Sequence, residues 1–304
     1  MKLTNELSRL QEEMIQYITE ENNREMAESI TEKRVEALAA EELQAAEIQE
    51  LEAFGVNATK LQALDLEQSK ASKGEIEMLE AQMNELSQQS FIPGNGPVVD
   101  GALLPADAFR LEPSWSGTFS DNDPQDELID ASAVEAQATR NYLGCSNLWN
   151  WAKGSGWGCT GSPGSVNHYA EFGFWFKPPT SKFYSVRPHF QFRGYYIVKA
   201  NDKWYNCKHA KVLVAAQTDC YQYNWKGMNS VDVLNVGGQN INVNKRFDAD
   251  RHTYNSYLLA GGDWAFIRAR IKIHAYAKGS GSYAKNDYST GVANKLCVPH
   301  IHVY

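Results

Sequence analysis

The first 90 residues contain no proline, cysteine, histidine or tryptophan, and their only aromatics are Tyr17 and Phe54. The segment is rich in Glu, Gln and Ala and almost without aromatics, so the packed core of this 304-residue chain is expected in its Tyr-, Trp-, Phe-, Val- and Ile-rich second half. That half is short of acid instead, with 8 Asp/Glu against 19 Lys/Arg in residues 141–304. Such scarcity weakens a glycosidase reading, because that chemistry needs a pair of carboxylates. No apolar run approaches the roughly 18 residues of a membrane-spanning helix. The start, MKLTNELSRLQEEM, has no apolar stretch of the secretory kind. The chain is therefore expected to be made in the cytoplasm, with a final site outside the cell, on a virion or on an injection machine left open. GxSxG, GxxxxGK[ST], HExxH and CxxC patterns are all missing. The expectation is no enzyme, no cofactor and no metal.

What is present is segregated by charge. Residues 1–90 hold 8 Lys/Arg against 20 Asp/Glu, a net of −12, and residues 91–140 add a further −7. Residues 141–304 carry +11, together with all seven His and all five Cys. An acidic arm and a basic body imply two modules, one of which meets an anionic surface or the acidic arm of a neighbour.

Within the arm, Leu3, Leu7, Leu10, Met14 and Tyr17 step by 4, 3, 4 and 3, a heptad seam. The pattern predicts a helix over 2–53, about 75 Å long at ~1.5 Å per residue. Phe54-Gly55-Val56-Asn57 reads as a stop, and a second helix is expected over 58–88, weakened at Gly74. Neither helix can bury its stripe alone, so a partner is required. The narrow seam favours self-association into a homo-oligomer, a trimer among the options; the alternative is a helical hairpin packed on its own domain.

Residues 91–140 form an acidic linker punctuated by Pro93, Pro97, Pro105, Pro113 and Pro124. Irregular structure is expected to about residue 125, then a short helix from Asp130 to Arg140. Beyond Tyr142 the period changes to 2. In 183–199 and 264–278 apolar and polar residues alternate, and shorter runs read as strands at 168–176, 204–216, 219–225, 230–236, 240–247, 253–259 and 296–303. A bend or bulge is expected near Gly194. The predicted fold is segregated α+β: a helical, coiled-coil arm (1–90) and an antiparallel, jelly-roll-like β-sandwich head (141–304).

Candidate ligand-binding residues follow from the alternation. Arg187, His189 and Arg193 share one strand face; Arg268, Arg270, Lys272, His274 and Tyr276 share another. If adjacent, they would make one surface for an anionic glycan, lipid headgroups or the acidic arm; nucleic acid is the disfavoured partner. Trp149, Trp151 and Trp157, in a Gly-rich segment expected to be a loop, are candidates for stacking on sugar rings or for plugging one end of the sandwich. Asp248, Asp250 and His252, and also His300 and His302, have metal-compatible spacing but no visible third ligand. Cys145, Cys159, Cys207, Cys220 and Cys297 read as buried thiols, with Cys145–Cys159 or Cys207–Cys220 as pairs if the protein works outside the cell. The leading expectation is a non-enzymatic self-assembling recognition protein. The alternative is a secreted toxin whose arm acts on membranes.

Overall fold

The computed structural model describes residues 5–88, 104–122, 134–203, 205–291 and 294–304. Helix α1 spans Asn5–Ala53 without a glycine or proline to interrupt it. It ends where Gly55 takes φ +76° and the N–H groups of Gly55 and Val56 return to the carbonyls of Glu52 and Leu51. Asn57 then caps helix α2, Ala58–Ser87, by accepting from the Lys60 N–H at 2.9 Å. Gly74 does not break α2, which runs through it.

The strands are β1 (Phe109–Leu111), β2 (Trp115–Ser120), β3 (Val134–Tyr142), β4 (Cys145–Lys153), β5 (Pro163–Phe176), β6 (Lys182–Asn201), β7 (His209–Gln222) and β8 (Asn224–Trp225). After them come β9 (Asn229–Gly238), β10 (Asn240–His252), β11 (Asn255–Leu259), β12 (Ala265–Lys278), β13 (Tyr283–Asp287), β14 (Lys295–Cys297) and β15 (Ile301–Val303). They pair antiparallel into two sheets. Among the described residues, β2, β5, β7, β8, β9 and β12 form a six-stranded sheet, and the other nine strands form the second.

The core between the sheets comes directly from the alternation. Ile267, Ala269, Ile271 and Ile273 of β12 point inward against Phe190 and Phe192 of β6, and all are fully buried. The odd positions of β6 and the even positions of β12 therefore face outward, on opposite sides of the sandwich. Each outer face receives one helix. Met14 and Ile18 of α1 pack on Phe266, Trp115, Trp175 and Trp225 of the six-stranded sheet. Ile76, Leu79 and Met83 of α2 pack on Tyr195, Ile197 and Tyr283 of the nine-stranded sheet. The order of layers is α1, sheet, sheet, α2.

Several expectations change. Residues 134–142 are a strand paired with β4, not part of a helix, and Asp130 lies outside the described residues. The linker contributes β1, β2 and most of β3. Trp149 and Trp151 sit on β4, not in a loop. No bulge occurs at Gly194: β6 pairs with β10 in unbroken register, and a Cβ there would come within 2.4 Å of the Tyr288 ring. Cys145 pairs with Cys297, and Cys159 with Cys207, leaving Cys220 as a buried thiol. Neither anticipated pairing occurs; the register between neighbouring strands of the nine-stranded sheet brings Cys297 opposite Cys145.

Candidate recognition faces

The two candidate groups of basic residues lie on opposite faces of the sandwich and do not form one surface. Arg268 and Arg270, at the centre of β12, are covered by α1. The Arg268 guanidinium donates to Asp219 of β7 at 2.6 Å and to Glu21 of α1 at 2.9 Å. Arg270 donates to Glu171 of β5 at 2.5 Å, to Asn22 at 2.9 Å and to Glu25 at 3.1 Å. Asn22, fully buried, also donates to Glu171. Each buried guanidinium thus has one carboxylate from the arm and at least one from the sheet, Glu171 also lying 3.8 Å from Arg268, which satisfies charges that would be costly to bury alone. Lys272, His274 and Tyr276 continue the row, half-buried. Burial holds the His274 imidazole down at about 4, with Lys272 as a further cause.

The rest of the arm is fastened in the same way. Ser29 and Lys33 reach the buried Asp121, each at 2.7 Å. Glu47 accepts from the Cys159 N–H and the Thr160 hydroxyl, and a Cβ on Gly158 would strike its carboxylate. On the opposite side, Asp65 of α2 pairs with Lys208 at 2.8 Å, Glu75 with Lys199, and Glu80 with Lys285 and the Tyr283 hydroxyl. Of the heptad seam, Leu7 and Met14 are buried, Leu10 is half-buried and Tyr17 is exposed; Leu3 lies outside the described residues.

Arg187, His189 and Arg193 occupy the half of the β6 outer face beyond the α2 contact. Sequence spacing alone does not show what joins them there. His252 stands opposite His189, His302 opposite Arg187, and Arg110 opposite His302. The His189 ring stacks on His252 at 4.8 Å and meets His300 edge-on at 5.1 Å, while His300 lies 4.9 Å from His302. Four of the seven histidines thus form one cluster. Arg187 is buried with its guanidinium 5.1 Å over the exposed Tyr254 ring. Arg193 pairs with Asp250 at 2.7 Å. Burial, then the positive Arg187, lowers His252 to about 4; burial, then Arg110, does the same to His300. His189 and His302 are lowered too, burial again first. Burial and the neighbouring arginines thus disfavour the charged form of each imidazole in the cluster.

The three tryptophans do not converge. Trp151 donates to Glu135 and lies beside Tyr283 under α2, Trp149 is half-buried on the same strand, and Trp157 is buried in the turn next to the Cys159–Cys207 bridge. Among the described residues, no group of three or more His, Cys, Asp or Glu has a geometry that could hold a metal ion. Among the same residues, no helix is long and apolar enough to cross a membrane.

No known protein family matches the chain, and no curated protein is similar to it in sequence. Among solved structures, TmCBM61 in complex with β-1,4-galactotriose is similar at 12% identity and TM-score 0.20, over 64% of this chain and 90% of that one. The enzymatically active domain of bacteriophage CBA120 tailspike protein 4 is similar at 10% identity and TM-score 0.15, over 62% of this chain but only 18% of that one. The Arthrobacter globiformis T6 isomalto-dextranase complexed with panose gives 12% identity and TM-score 0.16, over 64% and 34%.

Proposed function

We propose that the protein is a non-enzymatic recognition protein whose sandwich binds an anionic glycan on the half of the nine-stranded sheet beyond the α2 contact. The observation that carries this reading is the gathering of Arg110, Arg187, His189, His252, His300 and His302 on the nine-stranded sheet beyond the α2 contact. A sulfate ester or uronate would take hydrogen bonds from the arginines and imidazoles and set a sugar face against Tyr254. The acids bordering this face, Asp250 and Asp248, are paired with Arg193 and Arg246, which favours binding over acid–base catalysis. Two disulfides favour work in an oxidising setting, outside the cell or on a particle surface.

A second element, association of copies through α1, draws on Val35, Leu38 and Leu43, which stay exposed on the helix. Light scattering of the intact chain tests it, and a monomer at all concentrations removes it.

The glycan reading is tested by titrating the intact protein with a sulfated disaccharide. Saturable binding is expected, weakened at least tenfold (about 1.4 kcal/mol) by Arg187→Gln or His300→Gln. Unchanged binding in both variants would sink the assignment.

A further inference from the structure

The outer face of the six-stranded sheet holds a different kind of site. Along the first turns of α1, Tyr17 and Glu13 border a cleft of about 300 Å³ whose floor is Trp175, Tyr221 and Trp264. Trp175 and Trp264 meet edge to face at 6.3 Å, and Tyr17 lies 6.3 Å from both Tyr221 and Trp225. Trp225, 5.5 Å from Tyr221, borders a second cleft of about 330 Å³ that includes Glu21, Glu25, Asp219 and Arg268. The two clefts lie on either side of the contact that Tyr17, Tyr221 and Trp225 make with one another, next to α1. The indole N–H groups of Trp175 and Trp225 are buried without a hydrogen-bond partner.

We propose that the aromatic cleft binds a neutral oligosaccharide, with one pyranose ring among Tyr17, Trp175, Tyr221 and Trp264. A pyranose has apolar C–H faces for the rings and hydroxyls around its edge. Those hydroxyls donate to the Glu13 carboxylate at the rim of the cleft. A purely apolar occupant would strip water from that carboxylate and return no hydrogen bonds. The aromatic cleft itself carries Glu13 and no lysine or arginine on its lining, so it offers an anionic sugar no counter-charge and suits a neutral one. The cleft also fits one sugar ring, since ligand sites begin at roughly 300 Å³. The proposal does not depend on the anionic face, because the two sites lie on opposite sides of the sandwich.

The test titrates the intact chain, followed by calorimetry and tryptophan emission, with neutral tri- to pentasaccharides of glucose, galactose, mannose and N-acetylglucosamine. At least one should bind saturably and shift the emission. Trp264→Ala and Tyr17→Ala should each weaken that binding at least tenfold. Arg187→Gln and added salt should leave it unchanged. Tyr17 is exposed on a helix, so Tyr17→Ala keeps the fold if Trp264→Ala does not. The proposal falls if the folded chain binds no member of the panel, or if both variants bind normally. It also falls if Trp264→Ala abolishes a dimer of the wild-type chain, which would make the cleft a contact between copies.

Discussion

Glu21 of the acidic helix and Arg268 of the basic body meet at 2.9 Å, and Asp219 holds the same guanidinium from the sheet at 2.6 Å. The charge segregation of the chain is resolved at such contacts. The arm is laid along the body of its own chain, and its carboxylates meet arginines that β12 cannot expose to water.

Within this network the carboxylates are unequal. Glu171 is fully buried and tied to Arg270 and Asn22, so Glu171→Gln leaves a buried guanidinium short of its counter-charge. A loss of about 3–5 kcal/mol is expected in urea unfolding followed by tryptophan fluorescence. Glu21→Gln acts at the rim, where Asp219 remains, and should cost about 1 kcal/mol or less. Equal losses would mean the arm and sheet carboxylates share the charge evenly.

The two helices lie on opposite sheets and should detach independently. Ile18 is fully buried against Phe266, so Ile18→Asp places an unpaired charge in that contact. Hydrogen exchange should show loss of protection over 5–30 while 58–87 stays protected. Joint loss from both helices would show that they open as one unit.

The Cys145–Cys297 bridge spans a sequence separation of 152 and joins β4 to β14. Cys145→Ser with Cys297→Ser should cost about 3–5 kcal/mol, the usual range for a long closed loop. In the oxidised native protein Cys220 should resist alkylation, since burial pushes its thiol up to about 12. One thiol should react after denaturation without reductant; three or five would contradict the pairing.

Acid should destabilise the fold. Burial lowers His168, His252, His274 and His300 to about 4, against ~6.5 for an unfolded imidazole. Between these values the unfolded chain binds more protons than the folded one, so stability falls as pH drops from about 6.5 to about 4 and is flat above about 7. The buried His168 contributes at most about 3 kcal/mol, and His252 and His300, nearer solvent, less. Melting temperatures across this window should show the decline, flattened in His168→Gln. A bound anion favours protonated His252 and His300, so affinity for a sulfated sugar should rise over the same acid range. PH-independent affinity would remove the imidazoles from the site.

Much of the architecture is legible from local pattern. Gly55 and Asn57 mark the helix break because one supplies a left-handed turn and the other a side-chain acceptor. The alternation from Ala265 to Lys278 separates a core face from a polar face because side chains on a strand point to opposite sides. The segment from Val134 to Tyr142 misleads for a physical reason: its Ala, Glu and Gln favour a helix, yet pairing with β4 overrides that preference.

By itself, then, the sequence determined the two helices, the change of period, the acidic and basic halves, and which side chains share a strand face, since each depends on neighbours a few residues apart. Tertiary structure alone decided which sheet each strand joins, what covers each face and which cysteines pair. Arg110, Arg187, His252 and His302 become neighbours only through β1, β6, β10 and β15, and Tyr17 reaches Trp225 only when α1 lies down on its sheet. Contacts between residues so distant along the chain leave no periodic trace in it, because they are set by register and layer packing.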